Sequence, residues 1–251
     1  MLGFHLRQLQ VEWGRQGEVM KRHLLFWLFL FLALFALSVG LAQTQEAGTA
    51  ARSKPVEVPI QGTPIPTRVL IQSPAKTATE LQVICLFESA PQNVLRGALA
   101  ETNEKLQGLL GQIREPSLFR GELGETLLIE PPAGTLPAKR LLLIGLGDSR
   151  TFTPPRLELV GTIVYREANR LRIAHPYFAP TILDGGVSKY TTGEESEQFV
   201  LAFLRAARTE QVLKKKGSGN QVPQSLTYLA GPSHAADTQK GIERGFAEGQ
   251  G

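Results

Sequence analysis

The sequence predicts an α/β protein in which one sheet is covered by helices on both faces. Short apolar strand patterns alternate with amphipathic helix patterns from Thr67 to the C-terminus, the order expected of a layered α/β sheet. One strand pattern, Leu81–Phe87, is almost continuously apolar, as strands buried on both faces are. The 251 residues are 42% hydrophobic and 20% charged, a composition typical of a globular protein with one dominant domain.

The first half of the folded region is predicted to contain four strands and one helix. Arg68–Gln72 and Leu81–Phe87 are rich in β-forming residues, and Pro91–Gly111 carries apolar residues at helical spacing. Glu125–Glu130 and Arg140–Gly145 are the next strands, separated by a Pro-Pro-Ala-Gly turn. This alternation brings the strands into one sheet.

The second half is dominated by two long helices with recognisable ends. Thr153 followed by proline predicts a helix start, and an apolar stripe at three- and four-residue spacing follows. Thr192–Glu195 matches a capping box, and its helix ends in Lys214–Lys216 before a glycine, where cations complement the helix dipole. The remaining predicted elements are a β-like segment at Tyr177–Leu183, a strand at Ser225–Ala230 and a helix at Ala235–Glu248.

Residues 20–42 have the layout of a secretory signal peptide. Lys21 and Arg22 precede the uncharged apolar run Leu24–Leu41, and Gly40 and Ala42 supply the small residues of a cleavage site. The run is also near the lower length limit for a membrane anchor, which is the alternative. The predicted organisation is an upstream extension from a misassigned start (1–19), the signal peptide or anchor (20–42), a disordered linker (43–66) and an α/β domain (67–251). Export to the periplasm or medium is therefore expected.

Charge and cysteine content exclude several classes of function. The formal net charge is +4, of which +2 lies in residues 1–42, so the folded part is too weakly basic to predict nucleic-acid binding. Cys85 is the only cysteine, which excludes an intramolecular disulfide and a cysteine-based zinc site. Because it lies in an apolar strand, we expect a buried, unreactive thiol.

Two glycine-containing loops are the candidate ligand-binding segments. Gly145-Leu-Gly-Asp-Ser-Arg150 follows a strand and precedes a helix, as dinucleotide-binding loops do, but its third glycine is replaced by arginine. A tight turn is the favoured interpretation and phosphate binding the alternative. In the second loop Asp184 is interpreted as a turn former before two glycines. The candidate ligand-binding residues are Gly145, Gly147, Asp148, Ser149, Arg150, Asp184, Gly185 and Gly186.

Motifs for catalysis and metal binding are weak. Ser73-Pro-Ala-Lys76 matches the S-x-x-K pattern of serine acyl enzymes but lacks the partner motifs of that chemistry. His175 and His234 are not at metal-ligand spacing, and Glu194 and Glu195 are assigned to the capping box. Lys214–Lys216 is interpreted as a helix-end cation cluster. The sequence therefore predicts no catalytic residue, no metal ligand and no cofactor.

Phe119–Gly147 also carries a family resemblance. Its pattern, F-x-G-x-x-G-E-T-L-L followed by K-R-L-L-L-I-G-L-G, resembles the N-terminal, non-catalytic domain of the leucyl aminopeptidase (cytosol aminopeptidase) family. Further motifs follow in the family's order at Phe178–Thr181, Asp184–Gly186 and Gly241–Gly249. The likeness extends from Thr67 to the C-terminus. It implies a three-layer, macro-like domain with a mixed central sheet flanked by helices.

The resemblance also shapes the expected function. In the family this domain packs against a catalytic domain and contributes to hexamers, while two divalent metals and the catalytic residues belong to the C-terminal domain. We therefore expect an exported, non-catalytic domain that acts in protein–protein association or oligomerisation. The alternatives are a macro-like domain that binds a nucleotide or ADP-ribose-like ligand, and part of a metalloaminopeptidase whose catalytic half is missing. Nucleic acid is not expected as a partner, and membrane only through an uncleaved N-terminal segment.

Overall fold

The computed structural model describes residues 55–89, 94–114, 118–218 and 223–250. The predicted upstream extension, the signal peptide or anchor at 20–42 and most of the predicted linker lie outside these ranges. Within them, no helix combines the length and apolar character that crossing a membrane requires.

A mixed sheet of seven strands forms the centre of the described part of the chain. The strands lie in the order β1-β2-β7-β6-β3-β5-β4. The central strands β2, β7, β6, β3 and β5 are parallel, while β1 and β4 pair antiparallel at the two edges. Their bounds are β1 Val56–Ile60, β2 Thr67–Ile71, β3 Gln82–Leu86, β4 Thr126–Ile129, β5 Leu141–Gly145, β6 Tyr177–Ala179 and β7 Leu226–Ala230.

Helices cover both faces of the sheet, as the alternating pattern predicts. One face packs against α1 and α2 through a cluster that includes Leu99, Leu110 and Leu143. The other face packs against α3, α4 and α5 through a larger cluster that includes Phe178 and Phe199. The helix bounds are α1 Gly97–Lys105, α2 Leu109–Arg114, α3 Arg156–Arg170, α4 Thr192–Lys215 and α5 Ala235–Gln250. The predicted three-layer arrangement is confirmed.

The edge strand β1 corrects the predicted boundary of the folded domain. Val56–Ile60 belongs to the stretch 43–66 that the sequence indicates as a disordered linker, yet it pairs with the whole of β2. Val58 and Ile60 pack onto the core cluster, which fixes the strand. Pro59 is compatible with this position because an edge strand leaves one side of its backbone unpaired. The sequence pattern does not predict this strand, because the segment contains prolines and is too short to show a long periodicity.

Three other elements differ in extent from the sequence-based expectation. The predicted helix over Pro91–Gly111 is two helices, because Gln107 and Gly108 adopt φ values of 55° and 84° and end α1. The helix predicted to start at Thr153 begins at Arg156. The β-like segment Tyr177–Leu183 keeps only three residues in β6, and the loop that follows enters the candidate site.

Candidate functional site

A cleft of about 480 Å³ opens at the carboxyl ends of β2, β6 and β7. Ligand sites of open parallel sheets form at this edge, because the loops that follow the strands converge there. The cleft is bounded by those loops, by the first turns of α1 and by the first turns of α4 and α5. Its polar lining residues include Ser73, Glu101, Thr181, Asp184, Glu195, Tyr228 and His234.

Glu195 is buried in this cleft, with 2% of its surface exposed. The capping box of α4 is formed by Thr191 and Glu194: the Glu194 amide donates to Thr191 Oγ1 at 3.1 Å, and the Thr191 amide donates to Glu194 Oε2 at 2.8 Å. The assignment of the box to Thr192 and Glu195 was therefore wrong by one residue. Adjacent threonines and adjacent glutamates fit the motif in two registers, and burial of Glu195 selects the one observed.

The carboxyl group of Glu195 makes no hydrogen bond or ion pair with any residue in the described ranges. Burial raises its pKa to about 8, with smaller contributions from the carboxylates of Glu194 and Asp237. Removing water from a carboxylate disfavours the charged form, and two nearby negative charges act in the same direction. Glu195 is therefore mostly protonated at neutral pH in this structure.

Tyr228 supplies a second unpartnered polar group. It is 1% exposed, and its hydroxyl group has no hydrogen-bond partner among the described residues. Its ring packs edge-on against Phe178 and Phe199, whose rings stack on each other at 3.9 Å. Burial raises the pKa of Tyr228, and Glu195 and the buried thiol of Cys85 raise it further. The tyrosine therefore stays neutral and can donate a hydrogen bond.

Asp184 is the one predicted ligand-binding residue that lines the cleft. Its side chain accepts a hydrogen bond from the Ala98 amide in the first turn of α1, and burial raises its pKa. Gly97 approaches the Asp184 side chain so closely that a Cβ atom there would overlap it. Asp184 thus caps a helix as well as lining the cleft. Its neighbours differ: Gly185 packs against the ring of Phe87, and Gly186 turns the chain with a φ of 94°.

The S-x-x-K motif lies just after the carboxyl end of β2 and does not have the geometry of an acyl enzyme. Ser73 caps a short 3-10 helix and donates to Glu101 Oε2 at 2.5 Å. Lys76 bonds to the other oxygen of Glu101 at 2.9 Å rather than to Ser73. The pKa of Glu101 is lowered, chiefly by the hydrogen bond from Ser73. A carboxylate with a lowered pKa is a poor general base, so the cluster is a polar wall of the cleft.

Thr181 carries backbone strain at the floor of the cleft. Its φ is 53°, in the left-handed region that β-branched residues rarely adopt. The conformation lets its hydroxyl donate to the Cys85 carbonyl oxygen at 2.7 Å and accept from the Cys85 amide at 3.0 Å. The side chain thereby pairs with β3 beyond the end of β6. Strained residues held in this way are concentrated at ligand sites.

The loop from Gly145 to Arg150 lies outside the lining of the cleft. A Cβ atom at Gly145 would overlap the carbonyl oxygen of Glu122, and the Gly147 amide donates to Gly121 at 2.9 Å. Asp148 caps a 3-10 turn that contains Ser149 and binds Arg150 at 2.6 Å. These contacts close a tight turn, in which the Gly147 amide and the Arg150 side chain already have partners in the protein.

The remaining polar groups contribute little that suggests a metal site. In the described part of the chain, no group of three or more His, Cys, Asp or Glu side chains could hold a metal ion. His234 lines the cleft, whereas His175 bonds to Ser225 at 2.8 Å elsewhere. Lys214 and Lys215 occupy the last turn of α4, where Gly217 has a φ of 80° and ends the helix as predicted.

The parallel centre, the antiparallel edges and the cleft at the strand ends define a macro-like α/β domain. The model of the cytosol aminopeptidase family, N-terminal domain, matches residues 83–213, which is more than half of the chain. The chain therefore belongs to the cytosol aminopeptidase family through its N-terminal domain, as the Phe119–Gly147 pattern predicts.

Individual relatives agree with this family and fold. A probable cytosol aminopeptidase from Roseiflexus castenholzii is 29% identical over 178 residues, covering 71% of this chain and 33% of that protein. The Oceanobacillus iheyensis macrodomain with ADP matches with a TM-score of 0.51 and 15% identity, over 78% of this chain and 100% of the other. A leucine aminopeptidase mutant from tomato matches with a TM-score of 0.51 and 16% identity, over 73% and 35%. The chain thus spans about a third of these aminopeptidases, and the structural likeness shows the fold.

Proposed function

We propose that the domain binds a small organic molecule in the cleft at the carboxyl ends of β2, β6 and β7. The observation that carries this proposal is the presence of two buried polar groups, Glu195 and Tyr228, without partners among the described residues. A buried polar group left unpaired costs free energy, and a ligand that pairs with it removes that cost. The volume of about 480 Å³ falls within the range of small-molecule sites, roughly 300–1,000 Å³.

Nucleotides are the first ligand class to test, because a macrodomain of similar fold was solved with ADP. The apolar walls of the cleft, which include Ile71, Ile182 and Leu229, suit a flat base or another apolar group. At the same edge Glu101 is paired with Lys76, while a charged Asp184 would disfavour a nearby diphosphate. We therefore propose where the ligand binds, and nucleotides are one of the ligand classes to be tested there.

Titration calorimetry of the full chain with ADP-ribose, ADP and adenosine, followed by a fragment screen by ligand-observed NMR, tests the proposal. The variant Ala98→Phe projects a ring into the cleft from α1, and Ala247→Phe places the same ring on the exposed face of α5. We expect compounds that bind the wild type and the α5 variant to lose binding in Ala98→Phe. A screen in which nothing binds, or in which Ala98→Phe binds equally well, would overturn the proposal.

A second candidate function is oligomerisation through an exposed apolar surface near β4. Leu123 and Leu159 are 47% and 41% exposed. A Cβ atom at Gly124 would lie 3.1 Å from Leu159 Cδ2, so the loop that carries Leu123 packs beside α3. Neighbouring exposed aliphatic side chains mark interaction surfaces when they form a patch. We propose a second copy of this chain as the partner of this face.

Light scattering after size-exclusion chromatography tests the association. The double variant Leu123→Ser/Leu159→Ser removes the apolar surface, and Val212→Ser on α4 removes a comparably exposed residue elsewhere. We expect a wild-type oligomer that the double variant converts to a monomer and Val212→Ser leaves intact. A wild-type monomer at all concentrations would exclude this candidate.

Export is proposed from the segment 20–42 and rests on the sequence alone. N-terminal sequencing of protein from fractionated cells tests it. A mature chain that begins after Ala42 in the exported fraction is expected. An uncleaved chain in the membrane fraction would instead favour the anchor, and an uncleaved chain in the cytosolic fraction would contradict both.

A further inference from the structure

The carboxyl groups of the cleft are unequal in their partners. Glu101 is held by Ser73 and Lys76, and Asp184 accepts from a backbone amide of α1. Glu195 alone of these three has no partner in the described ranges, although it is the most buried. A buried carboxyl group without a partner is costly, and a ligand group of complementary charge would compensate it.

The lining of the cleft contains carboxyl groups and, among basic side chains, one histidine. Glu101, Asp184 and Glu195 line the cleft, and no lysine or arginine of the described ranges does. The one histidine of the lining, His234, lies at the start of α5. Lys76 already pairs with Glu101 at 2.9 Å, whereas Asp184 and Glu195 have no cationic partner in the described ranges. A cationic ligand group would find an unpaired carboxyl group there.

We propose that the cleft recognises a small organic cation, a protonated primary amine on an apolar body, with Glu195 as the counter-ion and the Tyr228 hydroxyl as a neighbouring polar contact. This inference rests on the proposed function, because it names the ligand class of the same cleft. An ammonium group has three donors, which suit carboxylate and hydroxyl oxygens. Ile71, Ile182 and Leu229 provide the apolar wall for the body of the ligand.

The surroundings of Glu195 link binding to proton release. Several titratable groups lie near it: Glu194 on α4, Asp237 on α5, Tyr228 on β7 and Cys85 on β3. His234, just before α5, lines the same cleft. Because burial raises the pKa of Glu195 to about 8, the group is mostly protonated at neutral pH. A bound ammonium stabilises the carboxylate, so binding releases close to one proton from Glu195. Affinity for the amine therefore rises as the pH approaches about 8.

The charge preference of the cleft can be tested with three compounds that share an isoalkyl chain and differ in their polar group: isoamylamine, isoamyl alcohol and isovalerate. Titration calorimetry of the full chain at neutral pH, in two buffers of different ionisation enthalpy, measures both affinity and proton release. We expect the amine to bind more tightly than the alcohol and isovalerate to bind least. The heat of amine binding should change with the buffer in proportion to about one proton released.

Matched variants assign the effect to Glu195. Glu195→Gln keeps the shape of the side chain and removes its ability to ionise, whereas Glu104→Gln removes an exposed charge of α1 outside the cleft. We expect Glu195→Gln to weaken amine binding at least about tenfold and to abolish the proton release, while binding of the alcohol is retained. Glu104→Gln should leave all three probes unchanged.

The outcomes separate this inference from the proposed function. Binding of isovalerate or ADP-ribose in preference to the amine, lost in Ala98→Phe, would retain a ligand in the cleft and overturn its charge preference. Amine binding that Glu195→Gln does not change would also overturn the role of Glu195. Failure of every probe and every fragment to bind would overturn both proposals.

Discussion

Asp237 Oδ2 accepts a hydrogen bond of 2.6 Å from the backbone amide of Gly193, so the first turn of α5 caps the N-terminus of α4. Thr192 Oγ1 bonds to the same oxygen at 3.1 Å. The contact fixes the starts of two helices side by side at the cleft. It also places a negative charge near Glu195, two residues further along α4, and this charge raises the pKa of Glu195.

Loss of this cap should destabilise the domain. Asp237→Ala leaves the Gly193 amide without its acceptor, and we expect the free energy of unfolding to fall by about 1–2 kcal/mol. The pKa of Glu195 should fall as well, because a neighbouring negative charge is removed. Urea denaturation measures the first effect and carboxyl-detected NMR titration the second. Glu248→Ala, an exposed change on the same helix, is the control; an equal loss in both variants would contradict a capping role.

Neutralising Glu195 should change how stability depends on pH. Its folded pKa of about 8 exceeds its ordinary value of 4.5, so between these values the folded state keeps a proton that the unfolded state releases. Wild-type stability therefore falls as pH rises through this window. Since each tenfold change in acid strength is worth about 1.4 kcal/mol, Glu195→Gln should be more stable than the wild type by about 3–5 kcal/mol at high pH.

Urea denaturation of both proteins at about pH 4, pH 7 and pH 9 checks this prediction. The difference between the variant and the wild type should be close to zero at the lowest pH and largest at the highest. A difference that stays constant across the series would show that Glu195 titrates near its ordinary value.

Two glycine substitutions should have opposite effects on stability, because Gly241 lies at the close contact of α4 and α5 and Gly111 does not. A Cβ atom at Gly241 would overlap the Gly193 carbonyl oxygen and Ser196 Oγ, whereas one at Gly111 in α2 meets nothing within 4 Å. Gly241→Ala should lower the free energy of unfolding by about 1–3 kcal/mol through overpacking. Gly111→Ala should raise it by about 0.5–1 kcal/mol through helix propensity. Thermal and urea unfolding measure both, and a stable Gly241→Ala variant would refute the close approach.

The two buried tyrosines form a matched pair for testing the cleft. Both Tyr228 and Tyr165 have hydroxyl groups without partners in the described part of the chain, but only Tyr228 lines the cleft. Because each hydroxyl is unpaired, Tyr228→Phe and Tyr165→Phe should keep stability or raise it by about 1 kcal/mol. Calorimetry with isoamylamine should show weaker binding only in Tyr228→Phe. Equal affinity in both variants would remove Tyr228 from the site.

Much of the fold could be predicted because its signals are local. Apolar runs at β2, β3, β5 and β7 and the alternation with helices were sufficient for a covered α/β sheet, and the Phe119–Gly147 pattern indicated the family. The misplaced elements are those in which a tertiary contact outweighs local pattern. Val56–Ile60 becomes a strand because β2 offers it a free edge and the core covers Ile60.

The candidate site was only partly predictable. Asp184 was identified as a loop acid, but Glu195 was assigned to a capping box and Tyr228 to an ordinary strand. The one local signal that Glu195 could lie outside the capping box was the repetition in Thr191-Thr192 and Glu194-Glu195, which allows the box in two registers. No local pattern reveals that residues of α4 and β7 meet over the ends of distant strands.

By itself the sequence determined the alternation of strands and helices, the family and the buried environment of Cys85, because hydrophobic periodicity and short motifs act over neighbouring residues. Only the tertiary structure decided which capping register α4 uses, how the Gly145–Arg150 loop is closed, and where the cleft lies. Those features depend on burial and on packing between segments far apart in the chain. Burial is what leaves Glu195 protonated and unpaired at the cleft.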